Sequence, residues 1–209
     1  MNRTVPPEAA LRRLIEGNRR YAADDYPEGM HAHAVNRRHT MAEQRPFAIV
    51  LGCSDSRVPI EIVFNQSLGD LFVIRVAGNI LNDHVIGSVE YALEMFGSSL
   101  VMVLGHSNCG AVTAAVDSVQ NGHQPPSRIA TIVDAIRPSV ESVRGENDLL
   151  EAAIAQNVRN VTTDLQTMDP LIATARTQGR LAVVGAEYHL STGLVTVLCG
   201  DLAEPITTG

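Results

Sequence analysis

Phe47-Ala48-Ile49-Val50-Leu51-Gly52-Cys53-Ser54-Asp55-Ser56-Arg57 is an apolar run that ends in glycine and turns polar at once. The pattern returns at Leu100-Val101-Met102-Val103-Leu104-Gly105-His106-Ser107-Asn108-Cys109-Gly110. Runs of Val, Ile and Leu of this length read as buried strands, and the polar segment after each reads as a strand-to-loop junction. Three further runs, at 71–76, 181–186 and 194–199, have the same character. The connections between the first four runs are long and carry helical spacing. Ile86, Val89, Leu93 and Phe96 mark a helix at 83–97, and 108–120 and 128–136 also read as helical. Leu150, Ile154, Val158, Val161 and Leu165 mark another at 147–165. Strands alternating with helices predict an α/β fold: a central, mostly parallel sheet of four strands flanked by helices. The last two runs are joined only by Glu187–Gly193, short enough for a hairpin that adds an antiparallel edge strand.

Upstream, Leu11, Leu14, Ile15, Tyr21 and Ala22 sit at helical spacing in 7–23, after Pro6-Pro7. Residues 24–40 are polar and read as loop. The chain thus divides into an N-terminal helical arm and loop (1–40) and an α/β core (41–205), within a single domain over 1–209. The apolar face of the arm leaves it free to pack on a partner chain rather than on its own core.

The 209 residues suffice for a substantial core, and 45% hydrophobic against 19% charged residues is ordinary for a globular protein. A net charge of −7 argues against non-specific nucleic-acid or anionic-membrane partners. No apolar run approaches the roughly 20 residues that span a bilayer, and the N-terminal stretch lacks a signal-peptide hydrophobic region. These features predict a cytoplasmic protein. Three Cys residues cannot all pair, and a reducing compartment favours thiolates that bind metal over disulfides.

In open α/β sheets, ligands bind beyond the carboxyl ends of strands, near a switch in strand order. The two junctions therefore place Cys53, Asp55, Arg57, His106 and Cys109 on one sheet edge. Each alone is equally a core or strand-end residue; together they predict a metal site. Two thiolates and an imidazole suit zinc, and three protein ligands leave the fourth position that distinguishes a catalytic from a structural site. A helix start at Cys109 would favour its thiolate. Cys199, ending an apolar strand, is assigned to the core. His31, His33, His39, His84, His123 and His189 read as structural or surface histidines, with His31, His33 and His84 the candidates for proton transfer.

At these residues the chain resembles the β-class carbonic anhydrases. One signature is matched by Cys53-Ser54-Asp55-Ser56-Arg57-Val58 and the other by Gly105-His106-Ser107-Asn108-Cys109-Gly110-Ala111. Gly69–Asn79, Ser88–Ala92, Asn157-Val158, and 179–193 at Gly179, Leu181, Tyr188 and Thr192-Gly193 also fit, so the likeness runs from about residue 8 to residue 200. The resemblance implies one Zn²⁺ per chain held by Cys53, His106 and Cys109, with Asp55 and Arg57 as the catalytic pair. It implies reversible hydration of CO2 to bicarbonate and a proton by zinc-bound hydroxide. It places Gln44 as a substrate-assisting amide acting across a dimer, Phe72, Tyr91 and Ala77 in the substrate pocket, and Gly78 and Gly110 where backbone packs close to the site. The expected assembly is a homodimer, or a tetramer built from it.

Charge counting sharpens the role of Asp55. Zn²⁺ with two thiolates and a neutral imidazole is uncharged, so hydroxide and the Asp55 carboxylate compete for one coordination position. Arg57 offers a fork that holds Asp55 off the metal. The family contains both arrangements, and in the closed one Asp55 is itself a metal ligand; lower pH is expected to favour it. Family members with a bicarbonate pocket built on tryptophan have no counterpart here, since the chain has no Trp. Three other functions compete. A related zinc hydrolase acting on COS or CS2 would share the metal motif. A purely structural zinc protein would have no use for Asp55, Arg57 and Gln44. A thiol redox protein would need a Cys-x-x-Cys, which is absent.

Overall fold

The computed structural model describes residues 5–25, 40–41 and 43–202. Most of the expected 24–40 loop, with His31, His33 and His39, lies outside them. The described elements are α1 (Pro7–Ala22), β1 (Ala48–Gly52), α2 (Ile60–Val63), β2 (Leu71–Arg75), a 3₁₀ turn (Ala77–Asn79), α3 (Asp83–Phe96), β3 (Leu100–His106), α4 (Gly110–Asn121), α5 (Ile129–Ser142), α6 (Leu149–Thr167), α7 (Pro170–Thr177), β4 (Ala182–Tyr188) and β5 (Val195–Gly200).

The strands form one sheet in the order β2-β1-β3-β4-β5. The first four pair in parallel, and β5 runs antiparallel to β4 at the edge. The chain leaves β1 for β2 on one side and then crosses to β3 on the other. The switch in strand order thus falls between β1 and β3, whose carboxyl ends carry the two polar signatures. No described helix is long and apolar enough to cross a membrane.

Both sheet faces are covered, which is why the central strands read as unbroken apolar runs rather than alternating ones. One face packs Ile60 and Val63 of α2 and Leu11 and Leu14 of α1 against Val50, Met102 and Val184. The other packs α3, α6 and α7 against Ile49, Leu51, Val101, Val103 and Val183. A third cluster, formed by α4, α5 and α6, lies beyond the strand ends and includes Cys53 and Cys109.

Local chemistry sets the boundaries. Asn82 caps α3 by accepting from His84 and Val85 N–H, both at 3.0 Å, and Gly97 closes it in the left-handed conformation. Asp148 and Asp169 cap α6 and α7. Helix α5 continues through Pro138 to Ser142, six residues beyond the expected end at 136. Proline removes one hydrogen bond there, but Val140, buried in the third cluster, holds the last turns in place.

Two expectations are corrected. The apolar face of helix α1 packs on its own chain: Ala10, Leu11, Leu14 and Ile15 are buried in its core. Asn18 fastens it there, donating to Val63 O (3.1 Å) and Gly193 O (2.8 Å) and accepting from Val195 N (2.8 Å). Cys199 is half-buried on the edge strand rather than in the core.

Candidate metal centre

Cys53 is the first residue beyond β1, His106 the last of β3, and Cys109 the N-cap of α4. Asn108, with φ of +55°, makes the reversal that turns the chain from β3 into α4. The thiols of Cys53 and Cys109 lie 4.0 Å apart, and both sulfurs and a His106 ring nitrogen fall within 4.8 Å of one another. All three residues are buried.

Each donor is held by its neighbours. The Ser107 carbonyl lies 2.9 Å from His106 Nδ1. A carbonyl can only accept, so Nδ1 carries the proton and Nε2 presents a lone pair. That Nε2 is buried with no hydrogen-bond partner. Gly78 N–H donates to Cys53 Sγ at 3.3 Å, and Gly78 O accepts from the buried Asn157 amide at 2.9 Å. Gly78 sits at φ +70°, and a Cβ there would meet Ile136 Cδ1 at 2.6 Å. Only glycine brings this backbone so close to the sulfur. Cys53 is pushed strongly towards thiolate, first by the Cys109 thiol, then by His106 and the Gly78 and Asp55 backbone, against its burial. Cys109 is pushed up by the Cys53 thiolate and by burial. Burial opposes a charge on His106, but the Cys53 sulfur outweighs it and the net direction is up. An orphaned, buried imidazole nitrogen facing two sulfurs fits a cation of the zinc type.

Asp55 lies at the mouth. Arg57 grips it through Nε–Oδ1 (3.0 Å) and a terminal nitrogen to Oδ2 (2.8 Å), and Arg57 N–H adds a bond to Oδ1 at 2.9 Å. The Arg57 side chain, the largest influence, holds the carboxyl well below the usual carboxylate range. Asp55 Oδ2 is 3.9 Å from His106 Nε2. Arg75, at the end of β2, clamps the loop by donating to Cys53 O (3.0 Å) and Asp55 O (2.6 Å). Sequence reading passed over Arg75 because its bonds go to backbone carbonyls, which leave no pattern in residue types.

The remaining candidates divide. Ala77 adjoins Gly78, beside the centre. Gly110 opens α4 directly after Cys109, and a Cβ there would meet nothing within 4 Å, whereas one at Gly78 would clash. Gln44 and Tyr91 instead line a surface cleft of about 550 Å³ with Met41, Met95 and Phe96. Phe72 stacks at 6.3 Å on Tyr91 and at 6.0 Å on Phe96. It pairs with Ile49, three positions short of the Gly52–Arg75 pair at the strand ends. Within one chain, Gln44, Phe72 and Tyr91 form a group apart from the cysteines. His84 is exposed at the start of α3, and His123 is exposed and bound to Asp117 at 2.6 Å.

Residues 48–195 match the carbonic anhydrase family. The chain belongs to the β-carbonic anhydrases. A carbonic anhydrase of Mycolicibacterium smegmatis is 37% identical over 203 residues, spanning 95% of this chain and 97% of that one. The solved structure of the β-carbonic anhydrase CcaA superposes with a TM-score of 0.68 at 30% identity, over 90% of this chain and 94% of that one. A tetrameric β-carbonic anhydrase of Sordaria macrospora shares the fold with a TM-score of 0.73 at 21% identity, over 91% and 98% of the two chains. As a β-carbonic anhydrase, the chain is a lyase, and its Cys53–His106–Cys109 cluster falls inside the matched region.

Proposed function

We propose that the protein catalyses reversible CO2 hydration at a zinc ion held by Cys53, His106 and Cys109, one per chain. The observation that carries this is the unpartnered His106 Nε2 facing two sulfurs, with the Arg57-gripped Asp55 carboxylate 3.9 Å away. Zinc in such a set supplies Lewis acidity that brings the pKa of coordinated water from about 15.7 to about 7. The chain's own residues do the rest. Ser107 O fixes the His106 tautomer, and Gly78 N–H stabilises charge on Cys53. Arg57 keeps Asp55 ionised, so Asp55 works as a hydrogen-bond acceptor at the mouth of the site that orients a donor without taking its proton. With both carboxylate oxygens bound by Arg57, Asp55 is the catalytic partner rather than a ligand. The closed arrangement, with Asp55 on the metal, requires that this grip be released.

We further propose a homodimer, or a tetramer built from it, in which a second copy brings its Gln44, Phe72 and Tyr91 towards this centre. The exposed Met41, Tyr91 and Met95 around that cleft form an apolar patch suited to burial between chains. Ala77 and the aromatic rings would shape an apolar slot for CO2, and the Gln44 amide would donate to one of its oxygens.

Stopped-flow CO2 hydration with metal analysis on the same sample tests the reading. The expected result is one zinc per chain and rapid turnover, with turnover reduced about 10²–10⁴-fold in Asp55→Asn at unchanged zinc content. Zinc-loaded protein with no hydration activity, or hydrolysis of COS or CS2 in its place, would overturn it.

A further inference from the structure

The inner end of β4 carries a second group of donor side chains. Glu187 is 2% exposed, and its Oε1 has no hydrogen-bond partner. It pairs with Gly105 of β3 and Thr196 of β5, next to last in β4 and flanked by strands on both sides, where a buried carboxylate is costly unless something compensates it. The hairpin pairing continues one step past β4, with His189 N–H donating to Leu194 O at 2.9 Å. Side chains two apart on extended chain share a face, so His189 follows Glu187 onto the same side. Helix α6 covers that side, with Val158 packed over Gly105 and Thr162 over Gly185. Glu151, in the first turn of α6, reaches the same spot. One donor atom each from Glu151, Glu187 and His189 lie within 4.8 Å of one another.

We propose that Glu151, Glu187 and His189 form a second divalent-cation site, distinct in residues and chemistry from the cysteine centre. Two carboxylates and a neutral imidazole balance a 2+ charge, which resolves the otherwise uncompensated burial of Glu187. In the absence of a cation, burial and then the charge and carboxyl of Glu151 push the Glu187 carboxyl up to about 7, with His106 opposing. Glu151 is the least buried of the three and has three rotatable bonds, so it supplies both an entry path and the closure onto ligand distances of about 2.0–2.2 Å. The N,O,O set is harder than the two-sulfur set of the cysteine centre. It suits first-row divalent cations bound through imidazole and carboxylate, and a thiolate is not needed.

The test adds Co²⁺ to the zinc-loaded enzyme and follows binding by equilibrium dialysis and visible absorption. The expected result is one Co²⁺ per chain with the zinc retained and no thiolate-to-cobalt charge-transfer band. Binding should weaken at least tenfold in Glu187→Gln and in His189→Ala, each with its full zinc complement. His189→Ala alters a half-buried side chain past the strand end, so it remains informative if Glu187→Gln disturbs folding. Undiminished Co²⁺ binding in both variants overturns the proposal. So does a charge-transfer band accompanied by zinc release, which would place the cobalt at the cysteines.

Discussion

Replacing Gly78 by alanine should break the backbone that supports Cys53, and the cost follows from two separable terms. The first is conformational: at φ +70° an L-residue with a Cβ loses about 1–2 kcal/mol. The second is steric: the new methyl would sit 2.6 Å from Ile136 Cδ1 and 3.1 Å from Ala111 Cβ, overpacking worth about 1–3 kcal/mol. Together they predict a loss of roughly 2–5 kcal/mol, read as a shift in the urea midpoint at constant m-value. Ile136→Val removes the methyl that clashes, and alone should cost about 0.5–1.5 kcal/mol. Combined with Gly78→Ala it should cost less than that, or restore stability, giving a coupling energy of about 1 kcal/mol in the double-mutant cycle. The conformational term should survive in the double mutant. Strict additivity of the two changes would refute the clash, and a Gly78→Ala protein as stable as the parent would refute both terms.

Asn18→Ala strands Val63 O, Gly193 O and Val195 N in a buried setting, and should cost about 3 kcal/mol in chemical denaturation. A loss under 1 kcal/mol would mean that water replaces the amide. The folded Glu187 carboxyl, at about 7, lies above its ordinary 4.5, so between those values the native state binds more protons than the unfolded one. Its contribution is therefore fully favourable below about pH 4.5 and declines as pH rises to about 7, by up to about 3 kcal/mol. In Glu187→Gln without divalent cations, stability measured across that window should decline less steeply. An unchanged pH profile would show that the group is already compensated. Chelating the metal should lower Tm and expose two further thiols to a thiol reagent, since only Cys199 lies outside the buried cluster. Equal reactivity of all three before chelation would count against a metal at Cys53 and Cys109.

The strands were legible because both sheet faces are covered, and their bounds shift by no more than two residues. The three candidate donors were legible because two junctions of one kind recur at the strand ends. Other features were hidden for identifiable reasons. Helix α2 is one turn long, too short for any periodic signal. Helix α7 was lost in a segment whose clearest cue is Asp169-Pro170, a cap and a first-turn proline. Helix α5 runs past the expected end at 136, through Pro138, where packing outweighs the lost hydrogen bond. The turn after β4 was started at Glu187, since a glutamate reads as surface; the strand in fact runs on to Tyr188, with Glu187 buried in it. The grouping of Gln44, Phe72 and Tyr91 away from the cysteines was invisible, because sequence does not say which side chains converge.

The bonds from Asn18 to Gly193 and Val195 span 175 and 177 residues. A chain emerging from a ribosome therefore makes its first helix early, yet cannot complete the Asn18 anchor that fastens it until the last strand has been synthesised. Until then Leu11 and Leu14 can pack on Ile60, Val63 and Met102 but the Asn18 anchor stays incomplete, and the parallel pairings behind the helix close only at long sequence separation, which slows folding. The period of greatest vulnerability to aggregation should thus extend through nearly the whole of synthesis. A nascent chain stalled short of residue 195 should behave as a chaperone client, whatever the stability of the finished enzyme.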